Sequence, residues 1–296
     1  MKVLVTGGTG FIGPKVVHAL RACDHDVRAL VRKPERAKTL QAWGCELAEG
    51  DVTDAESLRR AAEGCEAAVH LVSIIKGPPE EYDRVMVRGT GNLLAAASDA
   101  GARRFVLMSA LGTSEENRRL VPYLAAKWEM EQAAAGSGLE HVTFRPSFVF
   151  GKDGGVLPTF VRQVRLAPLT PVVGTGDGRL QPIWVDDVAQ CFAQAVDAPG
   201  AANRLFEIGG PDAVTWNELY ARMKKVLGVR RGTVHMPVGL VRAGAAVVEH
   251  LPGAPITRDQ VTMLTEGGDN VCDNGPALET FDLDLVGLDE QIRRAA

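Results

Sequence analysis

Apolar runs alternate with amphipathic stretches along the first half of the chain. Residues 1–5 are apolar and β-branched, as in a buried parallel strand, and residues 15–21 carry apolar side chains at helical spacing. The same pattern predicts further strands at 26–31, 45–48, 67–72, 105–108 and 141–145, with helical stretches at 34–43, 55–63 and 83–100. Because repeated βα units favour right-handed crossovers, we predict an α/β fold with a doubly wound parallel sheet of the Rossmann type.

The second half keeps this alternation in shorter pieces. Gly154 and Gly155 mark a shift in composition. After them the pattern predicts a short strand that begins near residue 181 and returns to a helix ending near Asp197, then strands at 204–208 and 233–236. Further helices are predicted at 156–166, 215–227, 238–251 and 257–265, and the last thirty residues are predicted to be mostly irregular. We therefore predict a main domain over residues 1–150, with return segments near 180–208. Residues 151–296 are predicted to form mainly a smaller α/β C-terminal lobe.

Closely spaced glycines join the first predicted strand to the first helix. Residues 5–13 read VTGGTGFIG, which places Gly7, Gly10 and Gly13 three residues apart. Main-chain N–H groups at a helix N-terminus can bind the pyrophosphate of a dinucleotide, but only if no side chain blocks the approach. An ordinary tight turn is the alternative interpretation. The predicted cofactor-binding residues here are Gly7, Thr9, Gly10, Phe11, Ile12 and Gly13.

The end of the second predicted strand bears on the type of dinucleotide. About 20 residues past the glycines, NAD-binding proteins carry an acidic residue that bonds the ribose hydroxyl. Arg32 follows Val31 here, and no carboxylate stands beside it. Because a guanidinium can pair with a 2′-phosphate, we predict NADP(H) as the preferred cofactor, with NAD(H) as the alternative. A solvated strand end would explain the same residues.

Two other strand ends are predicted to border the cofactor. Asp51 and Val52 follow the third strand, and Leu71 and Val72 end the fourth. Ligands of open α/β sheets gather outside the carboxyl ends of the strands, so we expect all four residues in the binding crevice. Thr53 and Glu56 have the spacing of a capping box for the helix that follows.

A tyrosine and a lysine lie four residues apart on the helix after the fifth strand. The spacing of Tyr123 and Lys127 places them on one helix face, where a neighbouring ammonium would lower the tyrosine pKa towards that of a general acid or base. Ser109 follows the fifth strand and is predicted to reach the same edge of the sheet. An incidental pair on an amphipathic surface helix is the alternative. The predicted catalytic residues are Tyr123, Lys127 and Ser109.

Composition and charge narrow the function classes. The net charge of −4, with no long basic run, gives no electrostatic sign of nucleic acid or of an anionic membrane. The five cysteines are scattered and the six histidines isolated, so no metal site is predicted. No apolar run is long enough for membrane insertion, and the first strand leaves no room for a signal peptide. We expect a cytoplasmic protein with reduced thiols.

Taken together, these motifs resemble those of an extended or atypical short-chain dehydrogenase/reductase. The resemblance spans nearly the whole chain. The motifs that carry it are residues 6–13, 51–54, 89–94, Ser109, 123–127, 145–147 and 182–188. Within that family the chain is most similar to the branch of the nucleotide-binding accessory subunit of respiratory complex I and its bacterial homologues. Met86 departs from the pattern, because many extended members have asparagine there.

The resemblance implies an NADP(H)-dependent oxidoreductase that transfers hydride to or from a carbonyl or alcohol. Tyr123 would exchange a proton with the substrate oxygen. Lys127 would hold the nicotinamide ribose and lower the Tyr123 pKa, while Ser109, Thr113 or Ser114 would orient the substrate. Two alternatives are a non-catalytic NADP(H)-binding structural or sensor protein and an NAD-dependent sugar-nucleotide epimerase or dehydratase. The expected partner is a small-molecule substrate, and a homodimer or association with a larger complex stays open.

Overall fold

The fold was examined in a computed structural model, which describes residues 1–249 and 256–296. The strands are β1 Lys2–Thr6, β2 Asp26–Val31, β3 Glu46–Glu49, β4 Ala67–His70, β5 Arg104–Met108, β6 Glu140–Pro146, β7 Val149–Phe150, β8 Thr170–Val173, β9 Arg179–Leu180, β10 Ile183–Trp184, β11 Arg204–Ile208, β12 Val214–Thr215 and β13 Thr233–Met236.

The helices alternate with these strands. They are α1 Gly13–Ala22, α2 Lys38–Ala42, α3 Ala55–Ala62, α4 Pro79–Glu81, α5 Arg88–Asp99, α6 Pro122–Ala135, α7 Leu157–Leu166, α8 Val185–Ala195, α9 Trp216–Val226, α10 Val238–Val248, α11 Arg258–Glu266, α12 Gly275–Thr280 and α13 Leu288–Ala295. A π-helical turn, Tyr82–Val87, joins α4 to α5.

Seven strands form one parallel sheet in the order β11-β6-β5-β4-β1-β2-β3. The order reverses at β1, which pairs with β4 on one side and with β2 on the other. Such a switch point opens a crevice at the carboxyl ends of the strands, and the glycine-rich stretch lies directly after β1. The predicted Rossmann-type fold is confirmed.

Helices cover both faces of this sheet because successive strand side chains point to opposite sides. Val3 and Val5 of β1 belong to a core with Val16 of α1 and Phe192 of α8. Leu4, between them, belongs to the opposite core, which α3, α5 and α6 complete. Both cores are fully buried at β1, so the glycine-rich stretch begins from a rigid platform.

The remaining strands form three two-stranded pairs, β7–β10, β8–β13 and β9–β12. A third core, centred on Phe150, Leu180 and Leu219, holds this part of the chain together. β11 lies within residues 151–296, in the return segment predicted near 180–208, and it pairs with β6 in the main sheet. The division near residue 150 stays a prediction.

Several local expectations differ from the structure. Asp54 caps α3 by accepting from Glu56 N and Ser57 N, so the predicted Thr53 cap is wrong. The last thirty residues, predicted to be mostly irregular, also contain the two short helices α12 and α13. The predicted end of the 238–251 helix lies outside the described residues. No helix in the described ranges is long and apolar enough to cross a bilayer.

Candidate functional site

The glycine-rich stretch is shaped by contacts between main-chain atoms. Gly7 has a φ of +78°, and a Cβ there would lie 2.9 Å from the carbonyl carbon of Leu71. A Cβ on Gly13 would lie 2.3 Å from Gly7 O and 2.5 Å from Gly8 C. A side chain at either position would therefore force the strand, the turn and the helix apart.

The same stretch leaves donors for an anion. Gly10 N donates to Gly7 O, which closes the turn. Among the hydrogen bonds of the described residues, Phe11 N and Ile12 N have no acceptor, and both precede α1. Thr9 and Gly10 are exposed beside them. Unpaired N–H groups at a helix N-terminus suit a diphosphate, so the residues present fit a dinucleotide.

The Phe11 side chain points away from these donors, towards the lobe. Glycines surround its ring: a Cβ on Gly151, Gly154 or Gly155 would lie 2.7, 2.4 or 2.9 Å from a ring atom. A cavity of about 260 Å³ adjoins the ring and is lined by residues that include Gly10, Lys152 and Trp184. Phe11 can thus contribute its main-chain N–H to a cofactor while its ring anchors the 151–155 segment.

The third strand end is fixed by its neighbours rather than open. The Asp51 carboxylate accepts from Thr53 N at 2.9 Å and from Thr53 Oγ1 at 2.8 Å. Asn92 Nδ2 donates to Val52 O at 3.1 Å, and a Cβ on Gly89 would lie 2.9 Å from Val52 Cγ2. The 89–94 motif therefore holds the Asp51–Val52 turn in place, a role that the sequence pattern did not reveal.

Arg32 lies exposed just past β2. In the described part of the chain its guanidinium has no hydrogen-bond or ion-pair partner, and Lys33 and Arg36 are exposed next to it. An unpaired guanidinium with two further cations can accept a phosphate group. Arg36 was not among the predicted residues. Its closeness in sequence to Arg32 and Lys33 is the signal that could have included it.

Tyr123 and Lys127 lie side by side on α6, as their spacing predicts. Lys127 Nζ is 5.7 Å from the centre of the Tyr123 ring and donates to Met108 O, the last carbonyl of β5, at 2.7 Å. Lys127 is fully buried, whereas Tyr123 is partly exposed. The pair therefore sits where the carboxyl end of β5 meets α6.

The electrostatics of the pair differ from the expectation. Burial raises the pKa of Tyr123 to about 12, and a hydrogen bond with Ser73 opposes that shift. Burial also lowers the pKa of Lys127 to about 7, against the upward effect of the Glu131 carboxylate. The lowering of the Tyr123 pKa by Lys127 stays a prediction; in this structure desolvation raises that pKa instead.

Ser109 lies at the expected strand end but bonds elsewhere. Its hydroxyl donates to the buried Glu131 carboxylate. Arg145 binds the same carboxylate with two hydrogen bonds of 2.9 and 2.7 Å, and also reaches Glu207 at 3.3 Å. Ser109 thus belongs to a buried ion-pair network that links α6, β6 and β11. A catalytic role for Ser109 stays a prediction, and the structure gives it another partner.

Ser73 is the hydroxyl that the structure brings to Tyr123. It lies three residues past the end of β4, whereas Ser109 directly follows β5, so both serines lie near the carboxyl ends of strands. Of the other two hydroxyls considered, Ser114 accepts from Asn117 N at 3.0 Å. The buried Thr113 hydroxyl has no partner among the described residues.

A buried histidine lies beneath the crevice between β1 and β4. His70 Nδ1 is 2.6 Å from Thr6 Oγ1, and its Nε2 is 3.0 Å from Thr90 Oγ1. The Thr90 hydroxyl donates to Met86 O, so we assign the proton to His70 Nε2 and leave Nδ1 to accept from Thr6. Burial and the nearby Lys127 lower the His70 pKa to about 3, which keeps the ring neutral.

Comparison with known proteins connects these features to a family. The profile of a family described as NAD(P)H-binding matches residues 7–199. A farnesyl-dihydroquinoline-oxide ketoreductase from Stigmatella aurantiaca is 29% identical over 272 residues, covering 85% of this chain and 80% of that protein.

Solved structures share the fold. The NADPH-dependent quinone oxidoreductase QOR2 of Escherichia coli, complexed with NADPH, has a TM-score of 0.80 at 22% identity, and 98% of each chain is covered. The UDP-glucose 4-epimerase of Thermotoga maritima has a TM-score of 0.77 at 23% identity, covering 100% of this chain and 97% of the other. The chain therefore belongs to this NAD(P)H-binding family, whose named relatives include NAD(P)H-dependent oxidoreductases.

Proposed function

We propose that the protein is an NADP(H)-dependent reductase that converts a carbonyl group of a small or lipid-like compound into an alcohol. The observation that carries this proposal is the Tyr123 side chain, which lies beside Lys127 where the carboxyl end of β5 meets α6, with the Ser73 hydroxyl acting to lower its pKa. The ketoreductase relative, named for a farnesyl-bearing substrate, supports a lipid-like carbonyl compound.

The protonation state of Tyr123 favours reduction. With a pKa of about 12, the hydroxyl keeps its proton at neutral pH and can give it to a carbonyl oxygen. The bound nicotinamide would supply the hydride to the carbonyl carbon. Proton transfer leaves a phenolate, which the Ser73 hydroxyl and the Lys127 ammonium would stabilise. The glycine-rich stretch, with Phe11 N and Ile12 N, would hold the diphosphate.

The test uses purified protein, NADPH and a panel of ketones, aldehydes and quinones, with NADPH oxidation followed by absorbance. Tyr123→Phe should lower turnover at least ~100-fold while NADPH affinity stays unchanged, because only the proton donor is removed. Tyr220→Phe is the matched control, since it removes a lobe hydroxyl that donates to Gln163. Equal turnover by Tyr123→Phe and wild type would refute the assignment.

The preference for NADP(H) rests on Arg32 and has its own test. Fluorescence titration should show tighter binding of NADPH than of NADH. Arg32→Ala should weaken NADPH roughly 10- to 100-fold and leave NADH unaffected, because a charge-assisted bond to the 2′-phosphate is lost. Arg103→Ala, an exposed residue at the opposite edge of the sheet, should change neither affinity. Tighter binding of NADH by the wild type would overturn the cofactor assignment.

Two alternatives make different predictions. A structural or sensing role beside a partner complex predicts tightly bound NADPH and no turnover across the panel. The second alternative is a sugar-nucleotide epimerase, whose fold this chain shares. It predicts that a nucleotide sugar copurifies with the protein. We propose that the reductase is cytoplasmic, as the sequence predicts. Localisation of a tagged chain tests this location.

A further inference from the structure

Two segments of the chain between residues 154 and 248 carry no acidic residues. Residues 154–176 and 219–248 together carry eight Lys and Arg residues and no Asp or Glu. The other 25 basic residues share the rest of the chain with all 37 acidic ones, so the modest net charge of −4 hides a strong segregation. Charge separated in this way creates a local positive potential that the net charge does not reveal.

The two segments meet in space. β8 pairs with β13, with Thr170 opposite Thr233 and Pro171 opposite Val234. Arg231 donates to Arg165 O at 2.6 Å and to Ala167 O at 2.8 Å, which ties the end of α7 to the start of β13. We name residues 162–171 and 224–234 the basic apolar face.

Most of the cations on this face have no acidic partner. Arg222 and Arg242, which flank it, form ion pairs with Asp212, Asp289 and Glu266. No ion pair to a carboxylate side chain is formed, within the described ranges, by the six residues Arg162, Arg165, Lys224, Lys225, Arg230 and Arg231. Five of them are exposed, and Lys224 is half-buried. Their charge is therefore available to an external anionic surface.

Aliphatic side chains project into solvent among these cations. Leu166 is 67% exposed at the end of α7, Leu169 is 50% exposed on the connection to β8, and Val234 is 36% exposed on β13. The apolar helix α10 follows β13 directly and exposes Leu240 and Val247 by 60% and 75%. Soluble monomers expose such groups singly, and a cluster of them marks a surface that contacts another phase or molecule.

We propose that the basic apolar face binds the surface of an anionic lipid bilayer, with Leu166 and Leu169 entering the headgroup boundary. Cations with interspersed aliphatic groups match what an interface offers, namely negative headgroups above acyl chains. Nucleic acid would use the cations and leave the leucines in water, since its bases stack on aromatic rather than aliphatic side chains. The association is peripheral and independent of the reductase activity.

The experiment is cosedimentation of the full chain with vesicles of phosphatidylcholine alone and of an equal mixture with phosphatidylglycerol. Wild type should bind the anionic vesicles only, and roughly 1 M salt should release it, because the Debye length falls to about 3 Å. Lys225→Gln/Arg230→Gln should weaken binding about 30-fold, since each cation near the surface contributes roughly fivefold. Arg60→Gln/Arg103→Gln, two exposed residues outside the basic apolar face, should bind as wild type does.

The leucines distinguish a bilayer from a soluble polyanion. Leu166→Gln/Leu169→Gln should lower vesicle binding at least ~10-fold, because insertion of apolar side chains is lost. Leu278→Gln, an exposed leucine on α12, is the matched control and should have no effect. The proposal fails if wild type binds neither kind of vesicle or binds both equally. It also fails if wild type binds heparin as tightly as anionic vesicles and the double leucine variant keeps both affinities.

Discussion

The two sides of the sheet's carboxyl edge differ in whether main-chain or side-chain groups form the site. At β1 and β4 the main chain makes the site: Gly13 abuts Gly7 O, and Gly7 abuts the carbonyl of Leu71. At β5 and β6 ionisable side chains make it: Lys127 bonds Met108 O, and Glu131 bonds Ser109 and Arg145. The first side tolerates no side chain at its contacts, whereas the second depends on which partner each polar group finds.

This difference explains what each side can do. Main-chain donors fixed by steric contact bind a diphosphate without moving, which suits a cofactor common to many reactions. Buried side chains carry shifted pKa values, which suit proton transfer. A single substitution on the β1–β4 side, which we call the phosphate side, should therefore cause a large loss of cofactor binding. Substitutions on the β5–β6 side, which we call the catalytic side, should lower turnover or stability by smaller amounts.

The largest effect is expected at Gly13. Gly13→Ala places a methyl group 2.3 Å from Gly7 O, a main-chain atom that cannot rotate away. We expect NADPH affinity to fall at least ~100-fold and unfolding free energy to drop by about 1–3 kcal/mol. Gly91→Ala is the control: nothing lies within 4 Å of its Cβ on α5, so it should be neutral or stabilise by about 0.5–1 kcal/mol. Titration and urea unfolding measure both.

The sequence predicted the phosphate side well for a physical reason. Glycine spacing is local, so Gly7, Gly10 and Gly13 specify their own geometry once a strand and a helix flank them. The pattern of apolar runs likewise indicated every strand of the seven-stranded sheet, within a few residues at each end. These features depend on residues that are close in the sequence, so the spacing of glycines and apolar residues predicts them.

The catalytic side was predicted in part. The i, i+4 spacing placed Tyr123 beside Lys127, because helix geometry alone decides that. It could not show that Ser109 pairs with Glu131 or that Ser73 reaches Tyr123, since those bonds join residues 22 and 50 positions apart. Nor could it show that burial raises the Tyr123 pKa, because desolvation depends on packing from several elements.

The two serines test the catalytic side with a smaller expected effect. Ser73→Ala removes the hydroxyl that lowers the Tyr123 pKa, so turnover should fall about 10-fold and the pKa of the alkaline limb of the rate profile should rise. Ser109→Ala removes a donor from buried Glu131 and should cost about 1–3 kcal/mol of unfolding free energy with turnover nearly unchanged. Steady-state kinetics across pH and thermal unfolding separate the two. A large loss of turnover in Ser109→Ala alone would restore it as the catalytic hydroxyl.

The smallest effect concerns the pH dependence of stability. Burial lowers the Lys127 pKa to about 7, well below its value in the unfolded chain, so between these values the unfolded chain binds more protons. Stability should therefore rise with pH above 7, by roughly 1 kcal/mol per unit near pH 8, and the full penalty of a buried charge should apply below pH 7. Lys127→Met removes this titration. The unfolding free energy of wild type minus that of the variant, measured with urea, should therefore increase from pH 7 to pH 9. A pH-independent difference between the two proteins would mean that Lys127 stays charged, and the phenolate left on Tyr123 would then have a full cation beside it at every working pH.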